Sequence, residues 1–174
     1  VDCIVFWTKN PANMLPRLDL LENYPYYFQF TLNPYDQELE PGVPPKPEVI
    51  DTFKRLSDKL GQDRVIWRYD PILVNERMDL SWHGQSFAML AGKLHDYAAG
   101  CVISFVDYYK KLDKSFKAKD IAELDRKKMR ELAVRLSAIA KEYGLKLETC
   151  AEEIDLSDMG IGHGRCIDPE LIGN

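Results

Sequence analysis

The sequence alternates between short apolar runs and segments whose apolar residues recur with a helical period. The apolar runs are rich in β-branched and aromatic residues, which favours strands at 3–8, 26–32, 64–69, 101–106 and 145–149. Apolar residues spaced three and four apart predict helices within 49–60, 87–97 and 132–143. Strands that alternate with helices are typical of an α/β fold with a parallel sheet.

Glycine marks the end of each of these three predicted helices. Gly61, Gly100 and Gly144 each stand between a helical segment and an apolar run. Glycine accepts the left-handed backbone conformation that ends a helix and turns the chain into the next strand. The spacing therefore predicts three helix-to-strand turns at these positions.

Five strand–helix units fit either an open doubly wound sheet or part of a (β/α) barrel, because a full barrel takes roughly 250 residues. We expect one α/β domain over residues 1–174: a partial TIM-like barrel of about five parallel strands with flanking helices. The chain begins at Val1 almost inside a strand and ends without a closing element, which suggests an incomplete barrel fragment.

Composition excludes several classes of protein. With 23 basic and 28 acidic side chains the net charge is −5, which argues against a globally basic nucleic-acid binder. The longest apolar run, residues 3–7, is far shorter than the roughly 20 residues of a membrane helix. Four cysteines in 174 residues are too sparse for a disulfide scaffold. Without a signal-peptide pattern, these features favour a reducing cytoplasm.

Polar side chains follow the predicted strands, where the active sites of parallel α/β folds form. We expect four of them to carry catalysis: Lys9, Arg68, Asp70 and Glu148. Five more are candidates for binding a small-molecule substrate or a cofactor: Asn10, Gln29, Asn33, Tyr69 and Asp107.

Two of these candidates have a structural alternative. Arg68 either forms an internal ion pair with Asp70 or Glu148, or it anchors a carboxylate or phosphate, and a paired arginine can do both. Lys9 is either a cation, base or Schiff-base amine, or an ordinary solvated lysine of a loop.

The end of the chain combines cysteine with histidine. Cys150, His163 and Cys166 supply thiolate and imidazole groups that suit zinc or iron. Three ligands at this spacing match no standard zinc finger, so buried or free thiols are the alternative. The sequence leaves both interpretations open.

Residues 110–130 contain nine basic and four acidic side chains. A solvated helix face is the usual explanation for such a segment, and a contact with nucleic acid is the alternative. Five prolines between residues 33 and 47 predict either a semi-rigid rim over the site or a long surface connection. The spacing of Trp7, Trp67 and Trp82 shows no pattern beyond what core packing explains.

Five phrases of the sequence resemble a bacterial family of uncharacterised proteins, domain-of-unknown-function family 1848. They are Val5-Phe-Trp-Thr-Lys-Asn-Pro11, Tyr27-Phe-Gln-Phe-Thr-Leu32, Leu39-Glu-Pro-Gly-Val-Pro44, Val65-Ile-Trp-Arg-Tyr-Asp-Pro-Ile72 and His163-x-x-Cys-Ile-Asp168. Members of that family look longer at both ends and finish in a C-x-x-x-C-x-x-C cluster, similar to that of radical S-adenosylmethionine enzymes.

The resemblance implies that the full-length protein is an enzyme, radical S-adenosylmethionine-like, with an iron–sulfur cluster and S-adenosylmethionine as cofactors. The cysteine cluster itself is absent from this sequence, so we expect the fragment alone to be inactive, with no cofactor certain in this chain. The alternative is a non-catalytic domain that binds nucleic acid through residues 110–130. The sequence leaves the substrate and the oligomeric state open.

Overall fold

The computed structural model describes residues 2–106, 119–150 and 152–167. Within them, six strands form one sheet in which every neighbouring pair is parallel and the spatial order follows the chain. The strands are β1 (Ile4–Thr8), β2 (Tyr26–Thr31), β3 (Val65–Ile72), β4 (Cys101–Phe105), β5 (Leu147–Cys150) and β6 (Gly162–Gly164). The predicted α/β class with parallel strands is confirmed.

The expected number of strands was wrong, because the described sheet has six strands rather than five. The additional strand is β6, whose sequence Gly-His-Gly carries no apolar side chain. Backbone pairing with β5 alone extends the sheet here, with Glu148 opposite Gly162 and Cys150 opposite Gly164. A strand that buries so little side chain leaves no periodic apolar signal in the sequence.

In the part of the chain that the structure describes, three α-helices connect the strands: α1 (Lys46–Leu60), α2 (Leu80–Leu94) and α3 (Arg126–Glu142). A 3-10 helix, Leu15–Leu21, lies between β1 and β2. Carboxylates cap two of the α-helices, because Asp79 accepts from the Trp82 amide and Asp125 from the Lys128 amide, both at 2.8 Å. None of the described helices combines the length and apolarity needed to cross a bilayer.

Alternate strand residues point to opposite faces of the sheet. Val65, Trp67 and Tyr69 of β3 belong to a large core that includes the apolar stripes of all three α-helices. The intervening Ile66 packs with Tyr27 and other strand residues in a small separate cluster, to which the described helices contribute no member. We call this second side of the sheet the open face.

The strand order tests the doubly wound alternative. A doubly wound sheet reverses its strand order at a switch point and carries helices on both faces. The described strands run in sequential order, and the described helices pack on one face. The doubly wound alternative is therefore wrong for this sheet.

Two of the three predicted glycine turns have the expected backbone. Gly61 and Gly144 adopt positive φ angles of 88° and 67°. Gly100 does not, and its role is spatial, because a Cβ atom there would lie 2.9 Å from the backbone oxygen of Lys146. Glycine at this position allows the start of β4 to approach the residue before β5.

Candidate active site

Arg68 and Asp70 lie two residues apart on β3, so both side chains project from the open face. The Nε and Nη2 atoms of Arg68 each donate to Oδ2 of Asp70 at 2.8 Å. Arg68 is only 7% exposed, whereas the Asp70 side chain is 21% exposed. The internal ion pair that the sequence offered as one alternative for Arg68 is present.

Neighbouring strands add polar partners to this pair. Nη1 of Arg68 donates to Oε1 of Gln29 on β2 at 3.2 Å. The Ser104 hydroxyl on β4 donates to Oδ1 of Asp70. The parallel register brings these side chains together. Gln29 lies two residues before Thr31, which pairs with Arg68. Ser104 lies two residues after Val102, which also pairs with Arg68.

The thiol of Cys150, at the end of β5, is the fifth member of this group. Cys150 is one of the groups that raise the pKa of Arg68. Its Sγ atom also lies 3.2 Å from Sγ of Cys166, in the segment after β6. We call Gln29, Arg68, Asp70, Ser104 and Cys150 the Arg68 cluster.

The neighbours of Arg68 and Cys166 raise the pKa values of both groups. Burial acts to lower the pKa of Arg68, but the Asp70 carboxylate and Cys150 raise it, and the net pKa lies above its ordinary value. The hydrogen bond with Cys150 is the main cause that raises the pKa of the Cys166 thiol, ahead of burial. The arginine therefore stays cationic in its buried setting.

A second polar group, centred on Glu40, fastens the loops beside the cluster. The Glu40 carboxylate is 5% exposed and accepts from Lys9 at 2.8 Å and from Lys46 at 2.5 Å. Asn33 donates to Glu40 at 3.3 Å and also to the backbone oxygen of Asp70 at 2.8 Å. The structure thus places Lys9 and Asn33 in a structural network around Glu40, next to the Arg68 cluster.

Three other predicted residues lie apart from the Arg68 cluster. Asn10 is exposed and accepts from the Ala12 amide at 3.1 Å, which stabilises the turn after β1. Tyr69 is fully buried on the helix side, where its hydroxyl donates to Nδ1 of His83 at 2.7 Å. Strand alternation separates Tyr69 from Arg68 and Asp70. Asp107 lies outside the described residues.

Glu148 shares the open face but has a different partner. It pairs with Lys146 at 3.0 Å. In the sheet register Glu148 is level with Val102 on β4, which in turn pairs with Arg68 on β3. Two strand spacings, about 10 Å between backbones, therefore separate Glu148 from Arg68.

Of the three candidate metal ligands, the structure brings Cys150 and Cys166 together but not His163. Thr149 lies opposite His163 in the register, and Cys150 lies opposite Gly164. His163 therefore projects from the face opposite that of Cys150 and lies 3.7 Å from Asp155. Among the described residues there is no group of three cysteine, histidine or carboxylate side chains placed to hold a metal ion.

The proline-rich segment, residues 33–47, packs against the loop that follows β3. The Tyr35 hydroxyl donates to the backbone oxygen of Pro71 at 2.7 Å and accepts from the Leu73 amide at 2.8 Å. The Tyr35 ring stacks on Trp82, with ring centroids 6.2 Å apart. The segment is thus fastened at the carboxyl ends of the strands, as a rim would be.

A cavity of about 360 Å³ lies between this rim and the loop after β3. Tyr35, Trp82 and Lys119 are among its lining residues, and no member of the Arg68 cluster is. The cavity and the cluster are therefore separate features of the same end of the sheet.

Only part of the basic segment is described. Residues 119–130 contain five basic and three acidic side chains. Arg126 lies 3.9 Å from Glu153, and Arg130 pairs with Asp158 at 2.5 Å. Acidic groups of the same chain thus partner two of the basic residues that the alternative function would use.

Sequence reasoning missed Ser104 and the buried ion pairs of Glu40. The sequence gives a weak signal for Ser104, because it is the polar residue within the apolar run 101–106. It lies two residues after Val102, so both side chains point to the same face of the strand. No sequence signal predicts the burial of Glu40, because a glutamate in a proline-rich loop is usually exposed to solvent. Its two lysine partners, Lys9 and Lys46, are brought to it only by the fold.

Comparison with known proteins gives one match. No curated protein and no solved structure shows significant similarity to the chain. The sequence pattern of one family, described as a domain of unknown function, matches residues 1–174. This match confirms the resemblance seen in the five sequence phrases: the chain belongs to the family of the domain of unknown function DUF1848.

Proposed function

We propose that the chain is the core of an enzyme whose active site is the Arg68 cluster. The observation that carries the proposal is the position of this network. A buried arginine, a carboxylate, a hydroxyl and a thiol meet on the open face, toward the carboxyl ends of parallel strands. Active sites of parallel α/β proteins form at that end of the sheet.

Arg68 is the group that binds the substrate in this proposal. A guanidinium has five N–H donors, and Asp70 and Gln29 accept three of them in the described contacts. The remaining donors can bind a carboxylate or phosphate, which the planar fork of arginine matches well. The substrate class is therefore a small molecule with an anionic group.

Asp70 is the candidate for proton transfer. It is the more exposed partner of the ion pair, and Ser104 and Arg68 hold its two oxygens in fixed positions. A positioned carboxylate beside a bound substrate can accept or donate a proton. Glu148, on the same face, is a second carboxylate available to a larger substrate.

The sheet itself fits part of a (β/α) barrel. Sequential parallel strands with helices on one face are the arrangement from which such barrels are built. In a barrel the open face would line the interior, and the polar residues of the Arg68 cluster would lie near its mouth.

The resemblance also implies an iron–sulfur cluster and S-adenosylmethionine. An iron–sulfur cluster is held by several cysteine thiolates together. The described residues bring only Cys150 and Cys166 together, and the C-x-x-x-C-x-x-C motif is not in this sequence. Two thiols do not suffice to hold such a cluster, so the proposed reaction of the Arg68 cluster does not involve an iron–sulfur cluster.

Thermal unfolding with two anionic probes tests the proposal. We expect inorganic phosphate or malonate to raise the Tm of the wild-type chain with saturation, because a ligand that binds only the folded state stabilises it. The Arg68→Lys variant keeps the charge but loses the planar fork, so its Tm should stay unchanged as either anion is added.

Arg55→Lys is the matched control, because Arg55 is an exposed arginine of α1 that pairs with Asp51. It should keep the wild-type response. A rise with phosphate alone would identify a phosphorylated substrate, and a rise with malonate alone a carboxylate. Equal responses of Arg68→Lys and wild type, or no saturable rise with either anion, would overturn the proposal.

A further inference from the structure

The two thiols beside Arg68 are placed for a reaction with each other. Their Sγ atoms lie 3.2 Å apart, and both cysteines are free. The S–S bond of a disulfide measures about 2.05 Å, so the thiols need to approach by only about 1 Å. They belong to different elements, with Cys150 at the end of β5 and Cys166 in the segment that follows β6.

The register of the sheet explains why these two cysteines meet. Cys150 pairs with Gly164 across the β5–β6 ladder. Cys166 lies two residues after the end of β6, and its side chain contacts the Cys150 thiol on the same face of the sheet. Gly164 permits this close pairing, because a Cβ atom there would lie 2.8 Å from the backbone oxygen of Thr149.

The other two cysteines cannot replace either partner. Cys101 is 1% exposed and belongs to the core on the helix side of the sheet. Cys3 precedes β1, four strands away from β5. Among the four cysteines of the chain, only Cys150 and Cys166 lie within reach of each other.

The two thiols differ in their exposure to solvent. Cys166 is exposed, so a small molecule can reach it. Cys150 is 7% exposed and is one of the groups that raise the pKa of Arg68. Cys150 raises the pKa of the Cys166 thiol, so less of its nucleophilic thiolate form is present at neutral pH, and we expect the reaction to become faster as the pH rises.

We propose that Cys150 and Cys166 are a redox-active thiol pair that reduces a low-molecular-weight disulfide and becomes a disulfide itself. This inference rests on the thiol contact and does not depend on the function proposed for the Arg68 cluster.

The reaction has two steps that balance. The Cys166 thiolate attacks one sulfur of the small disulfide, so a mixed disulfide forms and the first small thiolate leaves. The Cys150 thiolate then attacks Sγ of Cys166, which forms the Cys150–Cys166 bond and releases the second small thiolate. Two electrons pass from the protein to the small disulfide, and the two protons of the protein thiols end on the two small thiols.

Thiol counting and intact-protein mass spectrometry test the proposal, with oxidised glutathione as the probe. The reduced chain carries four thiols. After incubation, we expect a loss of two thiols, a mass lower by two hydrogens and a cross-linked peptide pair that joins Cys150 to Cys166. Reduced dithiothreitol should restore all four thiols.

The Cys150→Ser variant separates the two steps. Without the second thiolate, we expect Cys166 to retain one glutathionyl group. Cys3→Ser is the matched control and should still lose two thiols to the Cys150–Cys166 disulfide. Retention of all four thiols, a lasting glutathionyl group on wild-type Cys166 or a disulfide that joins other cysteines would overturn the proposal.

Discussion

At the scale of single residues, one buried carboxylate sets the position of three segments. Glu40 accepts from Lys9 after β1, from Asn33 after β2 and from Lys46 at the start of α1. Removal of a charged hydrogen-bond partner from a buried site leaves the other groups partly unsatisfied. The chain that borders the Arg68 cluster therefore depends on a residue outside the cluster.

Glu40→Gln removes this charge and keeps the shape of the side chain. We expect it to lower the free energy of unfolding by about 2 kcal/mol, the scale of a charged hydrogen bond. Urea denaturation monitored by circular dichroism measures the loss. Glu38→Gln, at an exposed position of the same loop, should change the stability by less than about 0.5 kcal/mol. An equal effect of the two variants would contradict the structural role of Glu40.

His83 makes the stability depend on pH. It is fully buried, its Nε2 atom lies 2.8 Å from the Leu73 backbone oxygen, and its Nδ1 atom accepts from Tyr69. Burial lowers the pKa of His83 below 6.5, and the hydrogen bond with Leu73 and the charge of Asp79 oppose the shift only in part. The folded state therefore favours the neutral ring more than the unfolded state does.

The sign of the pH effect follows from this shift. The contribution of His83 is complete above the unfolded pKa of 6.5 and decreases as the pH falls. Between pH 7.5 and 5.5 we expect a loss of about 1 kcal/mol in urea denaturation. The His83→Gln variant should lack most of this slope, whereas His163→Gln, at an exposed histidine, should keep it. An unchanged slope in His83→Gln would assign the pH effect to another group.

At the scale of secondary-structure elements, the regular parts of the fold follow from the apolar periodicity. All five predicted strands and the three helices at 49–60, 87–97 and 132–143 correspond to β1–β5 and α1–α3. The strand β6 was missed because its residues bury almost no apolar surface. Which turns require glycine was predictable, but the reason for Gly100 was not, since it depends on a neighbouring strand.

Two glycine-to-alanine changes should have opposite effects on stability. In Gly100→Ala the new Cβ atom would lie 2.9 Å from the Lys146 oxygen, so the strands must shift, at a cost of about 1–3 kcal/mol. Gly84 lies inside α2, and a Cβ atom added there would meet no atom within 4 Å beyond its chain neighbours and the nearby helix backbone. Gly84→Ala should stabilise the chain by roughly 0.5–1 kcal/mol through helix propensity. Thermal denaturation checks both, and a stabilising Gly100→Ala would contradict the packing.

At the scale of the whole molecule, one sheet separates an apolar core from a polar site. The described helices cover one face, and the Arg68 cluster lies on the other. Strand alternation predicts that Arg68 and Asp70, which are two residues apart, lie on one face of the sheet. It could not show that Lys9 pairs with Glu40 or that Cys150 and Cys166 meet, because these contacts depend on loop paths.

The open face also explains the placement of the tryptophans. Trp67 points into the helix-side core and is fully buried, as core packing predicts. The same interpretation was wrong for Trp7, which is 53% exposed. Trp7 lies opposite Gln29 in the register of β1 and β2, on the open face, where the described helices do not cover it.

The most direct measurement of the central claim, that Arg68 binds the anionic group of the substrate, is NMR of the arginine Nε–H signals during titration with inorganic phosphate or malonate. The account predicts a saturable shift of the Arg68 signal with at least one of these anions, while the Arg55 signal on the exposed face of α1 changes little. Small shifts of both signals that grow in parallel without saturation, with either anion, would contradict the assignment of Arg68 as a binding residue.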